Sequence, residues 1–340
     1  MDDNQPPSLK KVLIIRFSSI GDIVLTTPII RCLKQNFPEN QIHFLTKQGY
    51  QEVLANNPYI DKLHLFSGHL KETISKLQAE KFDYIVDLQH NLRSKQILNC
   101  LHVPHRTFKK LNFRKWITVN LKLEVMPQMH IVDRYFEAIK DFNIKNDLQG
   151  LDFFICENEQ FDTDDLPAVF EDGYVAISLG AQHKTKRIPP QKIVEAAHGI
   201  FKPLLLLGGK DCIEEGELIV SELGERVFNG CGKFTLHQSA YFIQHSDCVL
   251  TGDTGLMHIA AALHKPIISV WGNTIPEFGM YPYMPLEREK FDLIEVTSLA
   301  CRPCSKLGYK SCPKHHFKCM NNISSQQIIN QINRYCHESL

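Results

Sequence analysis

Hydrophobic and polar positions follow the same order in both halves of the chain. Short apolar runs are separated by stretches in which apolar residues recur at helical spacing. Continuous apolar runs are typical of strands buried on both faces of a parallel sheet, and their alternation with helices predicts an α/β fold. The predicted strands are Lys11–Phe17, Gln41–Thr46, Lys62–Phe66 and Tyr84–Leu88, then Tyr174–Leu179, Leu204–Leu207, Cys248–Thr251 and Ile267–Trp271.

The repeated order predicts two doubly wound domains. We place an N-terminal domain at 1–160, a C-terminal domain at 161–322 and a terminal amphipathic helix, Ile323–Cys336, within 323–340; the acidic stretch 157–172 is predicted to be a linker. Ligands of such sheets bind beyond the carboxyl ends of the strands. We therefore expect a ligand cleft between the domains. The other predicted helices are Ile23–Asn36, Gln191–Gly199, Glu214–Leu223 and Leu236–His245.

The segment Val249–Leu263 carries the clearest chemical signal. It combines the end of a strand, a polar turn containing Gly252, and the start of a helix at Asp253 and Thr254. Backbone N–H groups and the helix dipole favour an anion at such a helix start, and glycine lets a ligand approach the backbone. The turn is predicted to bind a diphosphate. An ordinary helix cap, in which Asp253 or Thr254 only satisfies backbone N–H groups, is the alternative.

Composition narrows the class of protein. The chain has 340 residues, 38 basic and 38 acidic, so no net charge points to nucleic acid. Its N-terminal residues 1–7 are acidic and polar, unlike a secretory signal, and no apolar run approaches the ~20 residues of a membrane-spanning helix. We expect a cytoplasmic protein. Its 11 cysteines are then expected to be mainly thiols or metal ligands rather than a disulfide framework.

Two motifs resemble the signatures of the heptosyltransferases that build the inner core of lipopolysaccharide. They are Arg16–Pro28 (RFSSIGDIVLTTP) and Thr251–Ala261 (TGDTGLMHIAA), in the family's order and separation. The resemblance implies the GT-B fold, with two Rossmann-like domains facing an interdomain cleft. The acceptor would bind the N-terminal domain and the nucleotide sugar the C-terminal domain, with the terminal helix packed back on the N-terminal domain.

The resemblance also implies the reaction. The family transfers heptose with inversion from ADP-L-glycero-D-manno-heptose to a lipid-linked core acceptor, lipid A–Kdo or a heptosyl sugar, and requires no metal. Asp22 matches the family's catalytic base, which would accept the proton of the acceptor hydroxyl. Ser19 and Gly21 lie in the same turn and are expected to contact the acceptor. A helix-capping role for Asp22 is the alternative.

The donor side matches the family at several positions. Lys186 stands where the family has a phosphate-binding lysine, and would stabilise the leaving diphosphate. Lys184 and Arg187 are close by, and Ile188 stands where many relatives carry tryptophan, so the acting cation stays open, with a solvated basic loop as the alternative. His258 has a packing role as its alternative. The implied donor-binding residues are Gly180, Lys186, Asp253, Thr254, Gly255, Leu256 and His258.

The acceptor side is predicted from charge. Arg93 and Lys95 follow a strand and suit the carboxylate or phosphate of a core sugar. The segment 106–116 interleaves cations with aromatic residues and contains no acid. This pattern suits an anionic lipid surface, so we expect peripheral association with the cytoplasmic face of the inner membrane. A solvated positive face is the alternative.

A cysteine-rich segment lies near the C-terminus. Cys301, Cys304, Cys312 and Cys319 have a spacing compatible with a structural zinc site. Reduced packing cysteines or a labile disulfide are the alternatives, because a similar segment in the second-heptose branch of the resembled family is not known for metal chemistry. The cations of 301–320 are also expected to attract a phosphorylated acceptor.

Other functions were weighed against the transferase. The triplet Asp162-Thr163-Asp164 resembles a metal-binding D-x-D motif, but it lies in the predicted linker and is interpreted as solvated charge. A sugar-nucleotide epimerase of GT-B fold and a non-catalytic protein that binds nucleotides or anionic lipid remain the alternatives. The absence of a G-x-G-x-x-G after the first strand argues against a nicotinamide dehydrogenase.

Overall fold

The computed structural model describes residues 10–156 and 166–337, which form two compact units. The first unit ends at Leu111 and resumes over Met129–Phe154; the second comprises Asn112–Gln128 and continues from Ile155. The predicted boundary at 160 lies outside the described residues and stays a prediction, while Asn112–Gln128 is grouped with the second unit. The N-terminal residues 1–7, the Asp-Thr-Asp triplet and most of the predicted linker lie outside the described residues.

The first unit is built on a parallel sheet with the order β3-β2-β1-β4-β5. Reversal of strand order between β1 and β4 is the arrangement that leaves a ligand crevice at their carboxyl ends. The strands are β1 (Lys11–Ile15), β2 (Gln41–Lys47), β3 (Lys62–Phe66), β4 (Tyr84–Asp87) and β5 (His105–Thr107). The predicted strands are confirmed within a residue or two at each end, while β5 was missed because it is short and polar.

The second unit repeats this topology with one more strand. Its parallel sheet has the order β11-β10-β9-β6-β7-β8, so the reversal falls between β6 and β9. The strands are β6 (Val175–Ser178), β7 (Leu204–Leu207), β8 (Val227–Asn229), β9 (Cys248–Gly252), β10 (Ile267–Trp271) and β11 (Phe291–Glu295). Both edge strands, β8 and β11, were missing from the prediction.

Helices cover the sheets, as predicted for an α/β fold. Those of the first unit are α1 (Ile20–Val24), α2 (Thr27–Asn36), α3 (Leu70–Glu80), α4 (Leu92–Leu101) and α6 (Ile131–Phe136). Those of the second are α5 (Asn112–Leu121), α7 (Pro190–Ala197), α8 (Ile213–Leu223), α9 (Leu236–His245), α10 (Gly255–Ala262), α11 (Lys318–Asn321) and α12 (Ser325–His337). Among the described helices, none combines the length and the apolar character needed to cross a bilayer.

The single helix predicted over Ile23–Asn36 is two helices. Pro28 has no N–H to donate to the preceding turn, so the backbone hydrogen-bond ladder is interrupted there. The hydroxyl groups of Thr26 and Thr27 instead donate to the carbonyls of Ile23 and Val24, at 2.7 and 2.8 Å. The break ends α1 early, so the Asp22 turn is carried by a helix of its own.

The C-terminal helix α12 belongs to the second unit and packs on its core; its predicted packing on the N-terminal domain stays a prediction. Its apolar stripe, including Ile328 and Ile332, is buried in the same core as β6, β7 and β9. The Tyr335 hydroxyl donates to Asp292 Oδ2 at 2.8 Å. The helix is seated closely, since a Cβ at Gly199 would lie 2.8 Å from Ile329. An amphipathic stripe predicts that one face is buried but not which surface buries it.

Candidate functional site

The two signature motifs lie at the strand-order reversals of their own sheets. In the first unit, Arg16 follows β1 and its guanidinium is buried. It donates to the carbonyl of Leu88, just after β4, at 2.6 Å and to the Tyr135 hydroxyl at 3.2 Å. The Phe17 N–H donates to Gln89 Oε1 at 2.8 Å. The turns that follow β1 and β4 are therefore joined by polar contacts at the crevice.

Asp22 is held in place through both carboxylate oxygens. Oδ1 pairs with Arg16 Nη2 at 2.6 Å, and Oδ2 accepts from the Ser19 N–H and hydroxyl at 3.1 and 2.9 Å. These bonds include the helix-capping interaction weighed as the alternative. The Asp22 side chain nevertheless stays 25% exposed, so an acceptor hydroxyl can reach it.

The charge of Arg16 persists despite its burial. Desolvation is the largest single effect and lowers the pKa of Arg16, but Asp22, Tyr135 and Asp87 together outweigh it and raise that pKa. Burial raises the pKa of Tyr135 to about 12, so this hydroxyl stays protonated. Tyr135 was missed by sequence reasoning, because it reaches the crevice from α6, 119 residues along the chain from Arg16.

The predicted acceptor loop is organised by a buried acid. Asp87, at the end of β4, accepts from the N–H groups of Gln89 and His90 and from the Ser94 hydroxyl, at 2.8–2.9 Å. Arg93 packs its guanidinium over Phe66 and Phe17, 4.8 and 5.7 Å from the ring centroids, beside the turn after β1. Lys95 is exposed and lies two residues further along α4, so the two cations do not share a helix face.

In the second unit, Thr254 is the N-cap of α10. Its Oγ1 accepts from the Met257 N–H at 3.2 Å and lies 3.0 Å from Thr251 Oγ1 and 3.3 Å from Ser178 Oγ. This hydroxyl cluster ties the ends of β6 and β9 together. The capping alternative is thus realised for the Thr254 side chain, while Gly255 begins the helix at the predicted anion site.

Lys186 and Asp253 form an ion pair at the same crevice. Lys186 Nζ lies 2.6 Å from Asp253 Oδ2, with side chains 17% and 10% exposed, and the Thr274 hydroxyl also donates to that oxygen at 3.3 Å. The turn that carries Lys186 passes directly over β9. A Cβ on Gly252 would overlap the carbonyl oxygen of Lys186, so this position requires glycine.

The structure separates the three candidate cations. Arg187 is buried, and it pairs with Asp211 in the turn before α8 and, at 3.0 Å, with Glu215 on α8. Lys184 is exposed. Lys186 alone of the three pairs with an acid of the donor motif, which makes it the cation placed to meet a ligand there.

The remaining predicted donor residues differ in their surroundings. Leu256 is half-buried in the first turn of α10, and His258 is almost completely buried, the position expected for the packing alternative. Gly180 follows β6 near Gly208, but a Cβ there would come no closer than 3.6 Å to its neighbours.

Residues of the cysteine-rich segment form hydrogen bonds with Thr185 and Thr274, which lie next to Lys186 and Asp253. The Tyr309 N–H donates to Thr185 Oγ1 at 2.8 Å, beside Lys186. Arg302 donates to the carbonyl of Thr274 at 3.0 Å and pairs with Glu295 at 2.6 Å. This scaffolding role was missed, because the contacts of Tyr309 with Thr185 and of Arg302 with Thr274 join residues 124 and 28 positions apart.

The four cysteines weighed as zinc ligands are free thiols in the structure. Their sulfur atoms, all within the described residues, do not form a group in which each lies within 4.8 Å of the others. Cys301 Sγ lies 3.9 Å from His316 Nε2, and burial raises the pKa of Cys319 to about 11. The thiols are therefore not arranged as a preformed zinc site.

We predict that Gly252→Ala destabilises the protein, because the new methyl group must displace the turn that carries Lys186. Overpacking of this kind costs about 1–3 kcal/mol, which urea unfolding followed by circular dichroism will measure. Gly180→Ala is the matched control in the same crevice and should unfold like the wild type. Equal stability of the two variants would contradict the close approach described above.

Comparisons with known proteins identify the family. The model of glycosyltransferase family 9 (heptosyltransferase) matches residues 71–308. Lipopolysaccharide heptosyltransferase 1 of Campylobacter coli is 24% identical over 292 residues, covering 78% of this chain and 84% of that protein.

Two solved structures share the fold. A glycosyl transferase of family 9 from Veillonella parvula has a TM-score of 0.77 at 21% identity, covering 97% of this chain and 98% of its own. The E. coli ADP-heptose lipopolysaccharide heptosyltransferase II has a TM-score of 0.75 at 20% identity, covering 97% and 99%. The α/β fold with two Rossmann-like domains, of the GT-B type, is confirmed. The chain belongs to glycosyltransferase family 9, the heptosyltransferases.

Proposed function

We propose that this glycosyltransferase moves heptose from ADP-L-glycero-D-manno-heptose to the inner core of lipopolysaccharide, with inversion and without a required metal. The observation that carries the proposal is the position of both motifs at the strand-order reversals, where Rossmann-like sheets bind ligands. The similarity to the Campylobacter and E. coli lipopolysaccharide heptosyltransferases supports the choice of donor and acceptor. Family membership favours this reaction over the epimerase and the non-catalytic binding protein.

On the acceptor side, Asp22 acts as the general base. Its carboxylate takes the proton of the acceptor hydroxyl while that oxygen attacks the anomeric carbon of heptose, and the bond between heptose and ADP breaks. Arg16 and Ser19 fix the orientation of the carboxylate through the contacts at 2.6–3.1 Å. Arg93 binds an anionic group of the core, as its place beside the β1 turn suggests.

On the donor side, Lys186 and the start of α10 stabilise the departing ADP. Negative charge grows on the diphosphate as the glycosidic bond breaks, and a fixed cation close to it lowers the barrier. Asp253 accepts hydrogen bonds from the sugar hydroxyls. Binding of the donor therefore exchanges the Lys186–Asp253 pair for contacts of each partner with a different part of the ligand.

We predict that Asp22→Asn lowers kcat by about 10²–10⁴-fold, the usual contribution of a positioned general base. The amide keeps the size of the side chain but cannot accept the proton. The measurement is ADP release from ADP-heptose with and without a truncated core-lipid acceptor. Asp61→Asn, which removes the exposed partner of Lys34, is the control and should keep wild-type turnover. Unchanged acceptor-dependent release in Asp22→Asn would rule out this base.

We predict that Lys186→Met lowers kcat for ADP release by about 10²–10³-fold, the cost typical of losing one transition-state charge stabiliser. Lys184→Met removes a neighbouring but exposed cation and should change kcat less than about 3-fold. Steady-state kinetics on both variants give the comparison. If Lys184→Met proves the more damaging, the role assigned to the Lys186–Asp253 pair is wrong.

We also propose that the enzyme binds the cytoplasmic face of the inner membrane through α5. Phe113 and Trp116 are 73% and 53% exposed on this helix, and their rings stack at 6.4 Å. Arg114 is exposed on the same helix, and Lys109 is an exposed residue three positions before α5 in the sequence. Exposed aromatic residues flanked by cations are typical of a helix that lies in the interface of an anionic bilayer.

This surface predicts how the protein sediments with lipid vesicles. Replacing Phe113 and Trp116 together by serine should reduce binding to vesicles containing anionic phospholipid by about 10-fold or more, since two large apolar side chains leave the interface. Phe201→Ser, which removes another exposed phenylalanine of the second unit, should bind like the wild type. Undiminished binding by the double variant would place the membrane contact elsewhere.

A further inference from the structure

A second cluster of chemically active side chains lies in the first unit, formed by residues of β2, β3 and α3. His43 Nδ1 is 2.9 Å from His64 Nε2 and 3.9 Å from Glu80 Oε2. The three ligand atoms all lie within 4.8 Å of one another. Within residues 10–156 and 166–337, no other set of three or more His, Cys, Asp or Glu side chains meets that criterion.

The surroundings of the cluster hold the two rings in place. Phe82 packs edge-on against both imidazoles, at 5.3 and 6.1 Å between ring centroids. Burial lowers the pKa of His43, and burial followed by the neighbouring His43 lowers the pKa of His64 to about 4. Both imidazoles are therefore neutral near pH 7, the form in which histidine binds metals.

We propose that His43, His64 and Glu80 bind a divalent transition metal, for which we expect Zn²⁺, with water as the fourth ligand. Two imidazoles and a carboxylate are a ligand set that zinc accepts, at about 2.0–2.2 Å from the ion. A tetrahedral arrangement at that distance separates two ligand nitrogens by about 3.3 Å. The rings need only move apart by a few tenths of an ångström from their 2.9 Å contact.

Binding rearranges one proton and releases none from the rings. In the metal-free pair, one ring nitrogen donates its hydrogen to the other ring. When the ion takes both facing nitrogens, that hydrogen moves to the remote nitrogen of the same ring. Each imidazole stays neutral and each gives a lone pair to the metal.

The charges around Glu80 limit the affinity. Lys11 Nζ lies 3.1 Å from Glu80 Oε2, and Lys62 Nζ lies 2.5 Å from Oε1. These ammonium groups compete with the ion for the carboxylate, although Lys62 is 54% exposed and can turn into solvent. The carboxylates of Glu80 and Asp61 both act on His43 and oppose the effect of burial on its pKa. The site should therefore bind more weakly than a four-ligand structural zinc site.

A bound ion would join three elements that meet at the edge of the first sheet. Because it binds only where β2, β3 and α3 are assembled, it stabilises the folded state by mass action. This inference is independent of the proposed reaction, since none of the three residues belongs to either crevice.

The test is a metal titration of the full chain after removal of metals with EDTA. Co²⁺ should produce visible bands of tetrahedral coordination without a thiolate-to-cobalt charge-transfer band, and Zn²⁺ should displace it and raise Tm. In His64→Gln and in Glu80→Gln, the apparent Kd for Zn²⁺ should rise by about 100-fold or more, because loss of a partner outside the ligand set already costs about 10–100-fold. His69→Gln, at the exposed start of α3, should bind like the wild type.

The outcomes show whether the metal is bound by the two histidines and Glu80 or by cysteine thiolates. A charge-transfer band that persists in His64→Gln would assign the metal to thiolates and overturn the proposal, as would the absence of any cobalt spectrum. Melting each variant in EDTA shows whether it is folded. Glutamine at position 64 can still hydrogen-bond His43, so a folded variant without Zn²⁺-dependent stabilisation supports the proposal.

Discussion

A parallel sheet that is covered by helices on both faces offers a ligand only the ends of its strands. Both sheets of this protein obey that constraint, and in each the strand order reverses beside the first strand of the unit. In the turns after β1 and β4, and in those after β6 and β9, backbone N–H groups and polar side chains are not used in the hydrogen bonds between strands. Every residue assigned to the transfer reaction is carried by one of these turns or by the helix that follows it.

Each crevice contains a partly buried pair of opposite charges. Arg16 holds Asp22, and Lys186 meets Asp253, both at 2.6 Å. Such pairs contribute little net stability when partly buried, because desolvation offsets their attraction. Their effect is positional. Arg16 also bonds the turn after β4, so the orientation of Asp22 depends on the registration of two strands and not on α1 alone.

The sequence predicts the central strands well, because short uninterrupted apolar runs such as those of β1 and β7 are typical of strands buried on both faces. The prediction fails at the edge strands β5, β8 and β11, which are short or carry polar residues. It also misses the break that Pro28 causes before α2. The motifs locate Asp22 and Asp253 but not Tyr135 or Arg302, since those contacts join distant parts of the chain. Spacing alone likewise does not separate Lys186 from Arg187, whose acidic partners before and on α8 become evident only in the fold.

Within the crevice of the second unit, Asp253 already serves as the counter-ion of Lys186. A small anion that approaches the lysine also meets the carboxylate, which repels it. Inorganic phosphate can replace Asp253 as partner of the ammonium group, but the Asp253 carboxylate then loses its cationic partner and keeps only the Thr274 hydroxyl. A ligand that carries phosphate and hydroxyl groups together satisfies both. In the proposed reaction, the pair would therefore disfavour free phosphate relative to a nucleotide sugar, because phosphate offers the Asp253 carboxylate no hydroxyl group in exchange for the ammonium.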